Sequence, residues 1–425
     1  MIAEWPGLAP TRRVLPGGCV VIVKRSPTNP AVTFNVAVRA GSLHDPDGRL
    51  GLAHFLSRVI DRGTENRTAD RIADELDNAG VALNAATTRH LLTVSCTCLA
   101  DDFEAVLELV GDIVMRPIFP DTEIETRRRE IITSIRQDED SPAVMAMETL
   151  FGLLYPDPHP YGRRAKGTVE TVDGIDRPSL QEFHRAHFGA PSTTLVVVGD
   201  VDESRAIDTA ARVFGGWKGS SPIVESLSPV AAPESRRQVA IPMAGKAQAD
   251  IAYGFTTIAR ADPAYYDFWV MNNVLGQYAL GGRLGDSIRE RQGMAYYVFS
   301  AFDANVGEGP LVIRAGVNPA NVERTISSID EEVSRMAKEG TTERELAESK
   351  QHLIGSVPRT FETNAGIAAF LQTAEYFGLG LDHDVRLREL ISNVTREGVA
   401  EVARRFLVPS RATITVAGPG DPATR

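Results

Sequence analysis

The chain has little cysteine, no excess of basic charge and no long apolar run, and each shortage removes a class of protein. Three cysteines, Cys19, Cys96 and Cys98, among 425 residues make no disulfide framework. Cys96 and Cys98 lie on one face of an alternating run, where packing is the expected role. Against 56 acidic residues stand 45 basic ones, a formal net charge of −11. That balance argues against nucleic acid as a partner, because phosphate recognition needs a clustered basic surface. No stretch approaches the roughly 20 apolar residues that span a bilayer, so membrane insertion is not expected. The start, Met1-Ile2-Ala3-Glu4-Trp5-Pro6, lacks the basic and apolar regions of a secretory signal, so a cytoplasmic location is the expectation. What remains is an ordinary globular composition, 43% hydrophobic and 24% charged, long enough for two or three cores.

Periodicity sets out the order of elements. Residues 20–23 and 32–38 read as strands joined by a turn rich in proline. Helical spacing follows over 51–62 and 69–78, then strand-like runs at 83–88 and 91–99. Amphipathic helices are expected over 103–115 and about 122–137, the second with Ile124, Ile131, Ile132 and Ile135 inward, and residues 195–198 close the half as a buried strand. Composition shifts to Ser, Pro and Ala over 218–237, which predicts domains at 1–217 and 238–425 joined by a linker. The second half echoes the first: Pro191-Ser192 before a Val-rich strand returns as Pro409-Ser410, and Ile131-Ile132-Thr133-Ser134-Ile135 as Leu353-Ile354-Gly355-Ser356-Val357. The expected fold is α+β, two similar domains, each a mostly antiparallel sheet packed against helices.

The stretch Gly51-Leu52-Ala53-His54-Phe55-Leu56-Ser57-Arg58 carries the chemical question. Its apolar residues fall on one helix face, and His54, Ser57, Arg58 and Asp61 are assigned to the other. An inverted zinc-peptidase helix reads His-x-x-Glu-His, two ligands flanking a general base. Here Ser57 and Arg58 stand where the Glu and second His would be. One imidazole does not hold zinc usefully, and the fixed charge of Arg58 repels a divalent cation. A Ser57–His54 nucleophile pair has no orienting acid and no oxyanion hole. His184 and His187 share a helix face with no third ligand in view, and a packed helix end is the stronger reading. Gly281-Gly282 with Gly285 lacks the strand, Lys and Ser/Thr of a phosphate loop.

Taken in order, Arg39-Ala40-Gly41-Ser42, Gly51 to Leu56, Arg62-Gly63-Thr64, Leu83-Asn84-Ala85, Arg116-Pro117-Ile118-Phe119-Pro120, His159-Pro160-Tyr161-Gly162, Gly282-Arg283-Leu284 and Ile288 to Tyr296 resemble the pitrilysin family. The likeness is to its two-domain branch, which contains mitochondrial processing peptidase, and covers nearly the whole chain. It implies a third zinc ligand, a Glu roughly eighty residues beyond the motif, and this falls on Ser134. The degenerate metal positions are then His54, Ser57, Arg58 and Ser134, with no catalytic residue and no metal in this chain. Glu130, one turn before Ser134, is expected to pair with Arg58. The resemblance also implies that Arg289 and Tyr296 reach a substrate near a metal, as donors to a peptide carbonyl. Asn84 and Ala85 match the strand that pairs with a peptide substrate by strand addition.

Because such proteins work as dimers and some pair a zinc-bearing with a degenerate subunit, the implied role is a non-catalytic, substrate-binding subunit of a heterodimeric zinc endopeptidase. Its partner would be a homologous subunit carrying His-x-x-Glu-His, a downstream Glu and the zinc, and this chain would supply Arg289 and Tyr296. The alternative is a structural protein, as the core subunits of the respiratory cytochrome bc complex are peptidase-like without being peptidases.

Overall fold

A computed structural model describes residues 7–219, 227–278 and 281–419. In chain order the first half runs β1 (Thr11–Val14), β2 (Val20–Arg25), β3 (Ala31–Val38), α1 (Leu52–Val59), α2 (Ala69–Asn78), β4 (Asn84–Thr87) and β5 (Leu92–Leu99). Helices α3 (Phe103–Met115), α4 (Asp121–Glu139), α5 (Pro142–Leu154), α6 (Val169–Asp173) and α7 (Arg177–His187) follow, then β6 (Thr193–Gly199) and α8 (Glu203–Phe214). Next come β7 (Arg237–Pro242), β8 (Ala249–Thr256) and α9 (Tyr265–Asn272), two π-helical segments at Asn273–Gln277 and Gly285–Arg291, then β9 (Ala295–Phe302) and β10 (Pro310–Val317). Helices α10 (Val322–Glu339), α11 (Glu343–Thr360), α12 (Asn364–Tyr376), α13 (His383–Ser392) and α14 (Arg396–Phe406) lead to β11 (Thr413–Gly418).

The fold is α+β, with one six-stranded sheet ordered β1-β2-β6-β3-β5-β4 and one five-stranded sheet ordered β7-β11-β8-β10-β9. Apart from β1 the two orders correspond strand for strand, which makes the duplication topological. Each sheet is antiparallel except where its first long strand meets its last, β2 with β6 and β7 with β11. The echoed Pro-Ser pairs sit in matching 3₁₀ turns before β6 and β11, and the echoed apolar runs lie on α4 and α11.

The division of the chain differs from the contiguous one expected. Residues 1–135, 164–224 and 358–385 form one compact unit, and 136–163, 225–357 and 386–425 form the other. Each unit borrows a helix from the opposite half. In the first, α12 sets Ile367, Ala368 and Leu371 against Ile22, Val196 and Val198. The Asn364 amide donates to the Ala31 carbonyl at 3.2 Å, and Arg12 grips Glu375 at 2.8 and 2.9 Å. In the second, α5 sets Ala146, Leu150 and Leu154 against Ala252, Val312 and Ala417. Gly254 makes that contact possible, since a Cβ there would meet Leu150 at 2.9 Å. Burying each such aliphatic side chain is worth about 1.5–3 kcal/mol, so the exchanged helices are structural members of their adoptive units. Of the expected linker, 220–226 lies outside the described residues and 227–236 carries no helix or strand.

Candidate functional site

The helix that carries the motif, α1, is shorter than its periodicity suggests, ending at Val59 before Gly63 takes φ +136. Asp45 holds its start, its carboxylate accepting from the Gly51 and Ala53 amides at 2.7 and 2.8 Å. Leu52, Phe55, Leu56 and Val59 are buried in the first unit's core. Ser57 departs from its assignment to the polar face. It is 3% exposed, and its hydroxyl turns back to donate to the His54 carbonyl at 2.7 Å.

Arg58 stands 3.9 Å from Glu130, a long ion pair between two half-exposed groups. Glu130 is held more closely by Arg127, at 2.6 Å, and Arg127 also lies 3.6 Å from Glu123. On the next turn of α4, Ser134 accepts from the ammonium of Lys166 at 3.1 Å. Sequence spacing did not reveal Lys166, because a loop 32 residues downstream delivers it. Zinc does not fit this donor set. One imidazole is joined by a hydroxyl committed to its own helix, a guanidinium in an ion-pair chain and a hydroxyl occupied by a cation. Among the described residues, no group of three or more His, Cys, Asp or Glu side chains is placed to hold a metal.

The second histidine pair is packing. His184 bonds the Val114 carbonyl through Nε2 at 2.8 Å and stacks on Phe188. Burial pushes its pKa down to about 4. His187 stacks on His44, ring centroids 4.7 Å apart, and burial lowers it to about 4 as well. Burial likewise raises the thiols of Cys19 and Cys98 to about 12, so both are unreactive core groups.

Asn84 and Ala85 open β4, the end strand of the first sheet, which among the described residues pairs only with β5. Asn84 is exposed, and Thr87 ties the strand to α1 by donating to the Ala53 carbonyl at 3.2 Å. The strand edge and the degenerate helix are therefore neighbours.

Arg289 and Tyr296 belong to one continuous piece of the second unit. Arg289 sits in the second π-helical segment, and the chain turns at Gly293 (φ +62) into β9. Ala295 pairs with Val317 and Tyr297 with Gly316, so Tyr296 is the extra residue of a β-bulge and stands 67% exposed. It is not buried as an ordinary sheet side chain would be. Arg289 has Glu290 as an ion-pair neighbour at 3.8 Å, both half-exposed. It also lines a cleft of about 490 Å³ with Gln277 and β9 residues 297–302; Tyr296 is not part of that lining.

Upstream of Arg289, buried Arg283 donates to Glu345 at 2.7 and 2.8 Å and to the Gly340 carbonyl at 2.7 Å. Burial acts to raise the Glu345 pKa, but hydrogen bonds from Arg283 and Thr342 outweigh it and hold it near 2. This clamp fixes the start of the segment that presents Arg289.

Two family models match, insulinase (peptidase family M16) over residues 20–153 and the peptidase M16 inactive domain over 174–353. The chain belongs to peptidase family M16. The first M16 match contains α1 and α4, and the second contains Arg289 and Tyr296. Among its relatives, an uncharacterized zinc protease of Streptomyces coelicolor is 25% identical over 97% of this chain and 90% of its own length. One from Mycobacterium tuberculosis is 28% identical over 94% and 91%, and one from Bacillus subtilis 24% over 95% and 97%. A Pseudomonas fluorescens structure described as a peptidase M16 inactive domain superposes with a TM-score of 0.90 at 23% identity, covering 97% of this chain and 98% of that one. A protease structure from Helicobacter pylori gives 0.89 at 17%, covering 96% and 99%. These likenesses extend the M16 fold over both units. No described helix is long and apolar enough to cross a membrane.

Proposed function

We propose that this M16 chain is a non-catalytic, substrate-binding subunit of a heterodimeric zinc endopeptidase acting on peptides. Its partner would be a homologous chain with His-x-x-Glu-His and a downstream Glu, holding the zinc. The observation that carries this reading is a contrast between the two halves. At the motif the metal position is taken up by side chains bonded to one another, Arg58 with Glu130 and Lys166 with Ser134. In the second half, a bulge turns Tyr296 outward close behind Arg289. A guanidinium and a phenol both donate, and both suit a peptide carbonyl and the oxyanion it becomes. The outward Tyr296 close behind Arg289 favours this reading over a purely structural one.

The test is reconstitution. The purified chain should show no peptidase activity, and activity should appear on mixing with a homologous subunit that carries the intact motif. In that mixture Arg289→Ala and Tyr296→Phe should lower kcat by about 10²–10³, the usual cost of losing one oxyanion donor. Indifference of the mixed complex to both substitutions would defeat the proposal. Recovery of the chain in a large assembly with no zinc peptidase would favour the structural role instead.

A further inference from the structure

We infer that the bare outer edge of β7 is an interface between two copies of this chain, the two β7 strands pairing antiparallel about Val239. The surface lies wholly within the second unit and does not depend on the zinc-bearing partner proposed above.

Duplication leaves β7 without two neighbours that its counterpart has. In the first unit β2 runs parallel to β6, as β7 runs parallel to β11. There β1 pairs antiparallel with the outer edge of β2, from Thr11 opposite Val23 to Val14 opposite Val20. Helix α8, which follows β6, packs on β2. In the second unit β7 itself ends the sheet, and no described helix follows β11. Burial records the difference. Val21, Ile22 and Val23 of β2 are fully buried, whereas every residue of β7 except the half-buried Ile241 is exposed.

The outward backbone of β7 faces solvent. The Arg237 and Met243 amides donate inward, to the Ala412 and Gly418 carbonyls at 3.0 and 2.6 Å. Every second residue of a strand faces the same neighbour, so Val239 and Ile241 bond β11 as well. Gln238 and Ala240 therefore turn their N–H and C=O groups outward, and both residues are exposed. Among the described residues neither bonds the backbone of a loop. The strand is also held in place. Arg236 pairs with Asp330 of α10 at 2.7 Å, and Arg237 donates to the Leu153 carbonyl of α5 at 3.2 Å.

A second β7 suits this edge. Unpaired strand edges invite pairing, and Arg237 and Pro242 confine it here to Gln238-Val239-Ala240. About a two-fold axis at Val239, Gln238 of one copy lies opposite Ala240 of the other. Both such pairs exchange their N–H···O bonds, and no outward group of either residue is left over. Moving the axis to Ala240 sets the Pro242 nitrogen, which has no proton, against a Gln238 carbonyl. Moving it to Gln238 leaves one exchanging pair within the strand in place of two. With the axis at Val239, Arg237 comes opposite Ile241, so no like charges face each other. Val239, 36% exposed, meets its own copy beside the axis. Such a pair is closed, because each copy uses its β7 edge once and no fibre grows from it.

The full-length chain, in chelator and without partner, would be followed by sedimentation velocity across a wide concentration range. A reversible monomer–dimer equilibrium is expected. Ala240→Pro removes an outward N–H without touching a bond to β11, and should weaken the dimer about ten- to a hundredfold. Cysteine cross-linking tests the register without a proline in the strand. Under mild oxidation Val239→Cys should link to its own copy, the two Cα atoms lying about 4.5 Å apart, within disulfide reach. Arg237→Cys should not, since its own copy lies about 14 Å away, but mixed with Ile241→Cys it should link to that chain. Wild type sets the background, its three cysteines being buried. A chain that stays monomeric throughout overturns the interface, as does a dimer in which Arg237→Cys links to itself as readily as Val239→Cys. So does a dimer that Ala240→Pro leaves unchanged. Linking of Val239→Cys only to an added zinc-bearing subunit would overturn pairing between copies and give the edge to that partner.

Discussion

Asp112 is the group whose loss should most cleanly loosen the M16 motif region without touching it. This carboxylate is 1% exposed near the end of α3, and it gathers the loop that leaves α1. Thr64 donates to it at 2.6 Å, Arg116 at 2.7 Å, and Asn66 and Arg67 at 2.8 Å each. Burial acts to raise its pKa, but these four donors outweigh burial and hold it near 2, below its ordinary 3.8. At about 1.4 kcal/mol per tenfold change in proton affinity, that preference is worth about 2.5 kcal/mol. Breaking a buried charge pair costs about 3–5 kcal/mol by an independent route. Asp112→Asn should therefore lose about 2–4 kcal/mol at pH 7.

The pH dependence separates this from a general packing defect. A carboxylate with a depressed folded pKa contributes stability that is complete above about pH 4 and lost as pH falls toward 2. The gap between wild type and Asp112→Asn should thus be full at pH 5–7 and close between pH 4 and 2. His184 and His187 act in a different window. Their folded pKa values, about 4, lie below the ordinary 6.5, so their contribution falls away between about pH 6.5 and 4 in both proteins alike. Chemical denaturation across that range is the assay. A stability gap that stays constant down to pH 2.5 would refute the assignment of the effect to the Asp112 charge.

Two further outcomes are expected. Ser57→Glu, Arg58→His and Ser134→Glu together would supply the ligands and base that the resemblance implies, yet Lys166 would stay close by. A unit charge about 5 Å from a divalent ion opposes it by about 7 kcal/mol at an effective dielectric of 20, so the triple variant should bind zinc poorly after dialysis and adding Lys166→Met should restore it; equal zinc content in both sinks the idea. Leu371→Ala should cost about 2–5 kcal/mol and speed hydrogen exchange in β2 and β6 while sparing β8, although Leu371 lies in the second half. Leu150→Ala should do the converse to β8 and β11, and exchange that rises in the half carrying the substitution would contradict the helix exchange.

Alternation and helical spacing placed five strands and four helices of the first half, since those periods follow from backbone geometry and one-sided burial. Residues 69–78 and 103–115 are helical to the residue. The duplication was legible in echoes as short as Pro-Ser before a strand. Which sheet a helix covers was not, because an apolar stripe reports that a face is buried and not against what. Hence α5 and α12 each read as belonging to the half that encodes them. The face of Ser57 was misjudged for a related reason: a serine that bonds its own helix has no polar group left to satisfy and is tolerated inside. Lys166 beside Ser134 and the bulge at Tyr296 depend on loop paths and on register with β10, neither of which leaves a periodic trace.

The two halves diverge in what duplication has left them. In the first unit the polar groups around α1 are turned toward one another: Ser57 to its own helix, Arg58 to Glu130, Lys166 to Ser134. Of these, the half-exposed Arg58–Glu130 ion pair contributes little to stability. Their consequence is to leave a metal no ligand set while α1 goes on burying Phe55 and Leu56 in the core. In the second unit β9 and the segment before it are arranged differently. The bulge of β9 turns a tyrosine to solvent, and a buried Arg283–Glu345 clamp steadies the segment that brings Arg289 to the cleft. A clamp that orders an exposed arginine has a cost in conformational entropy. That cost is offset if Arg289 and Tyr296 serve the substrate-binding role proposed for them.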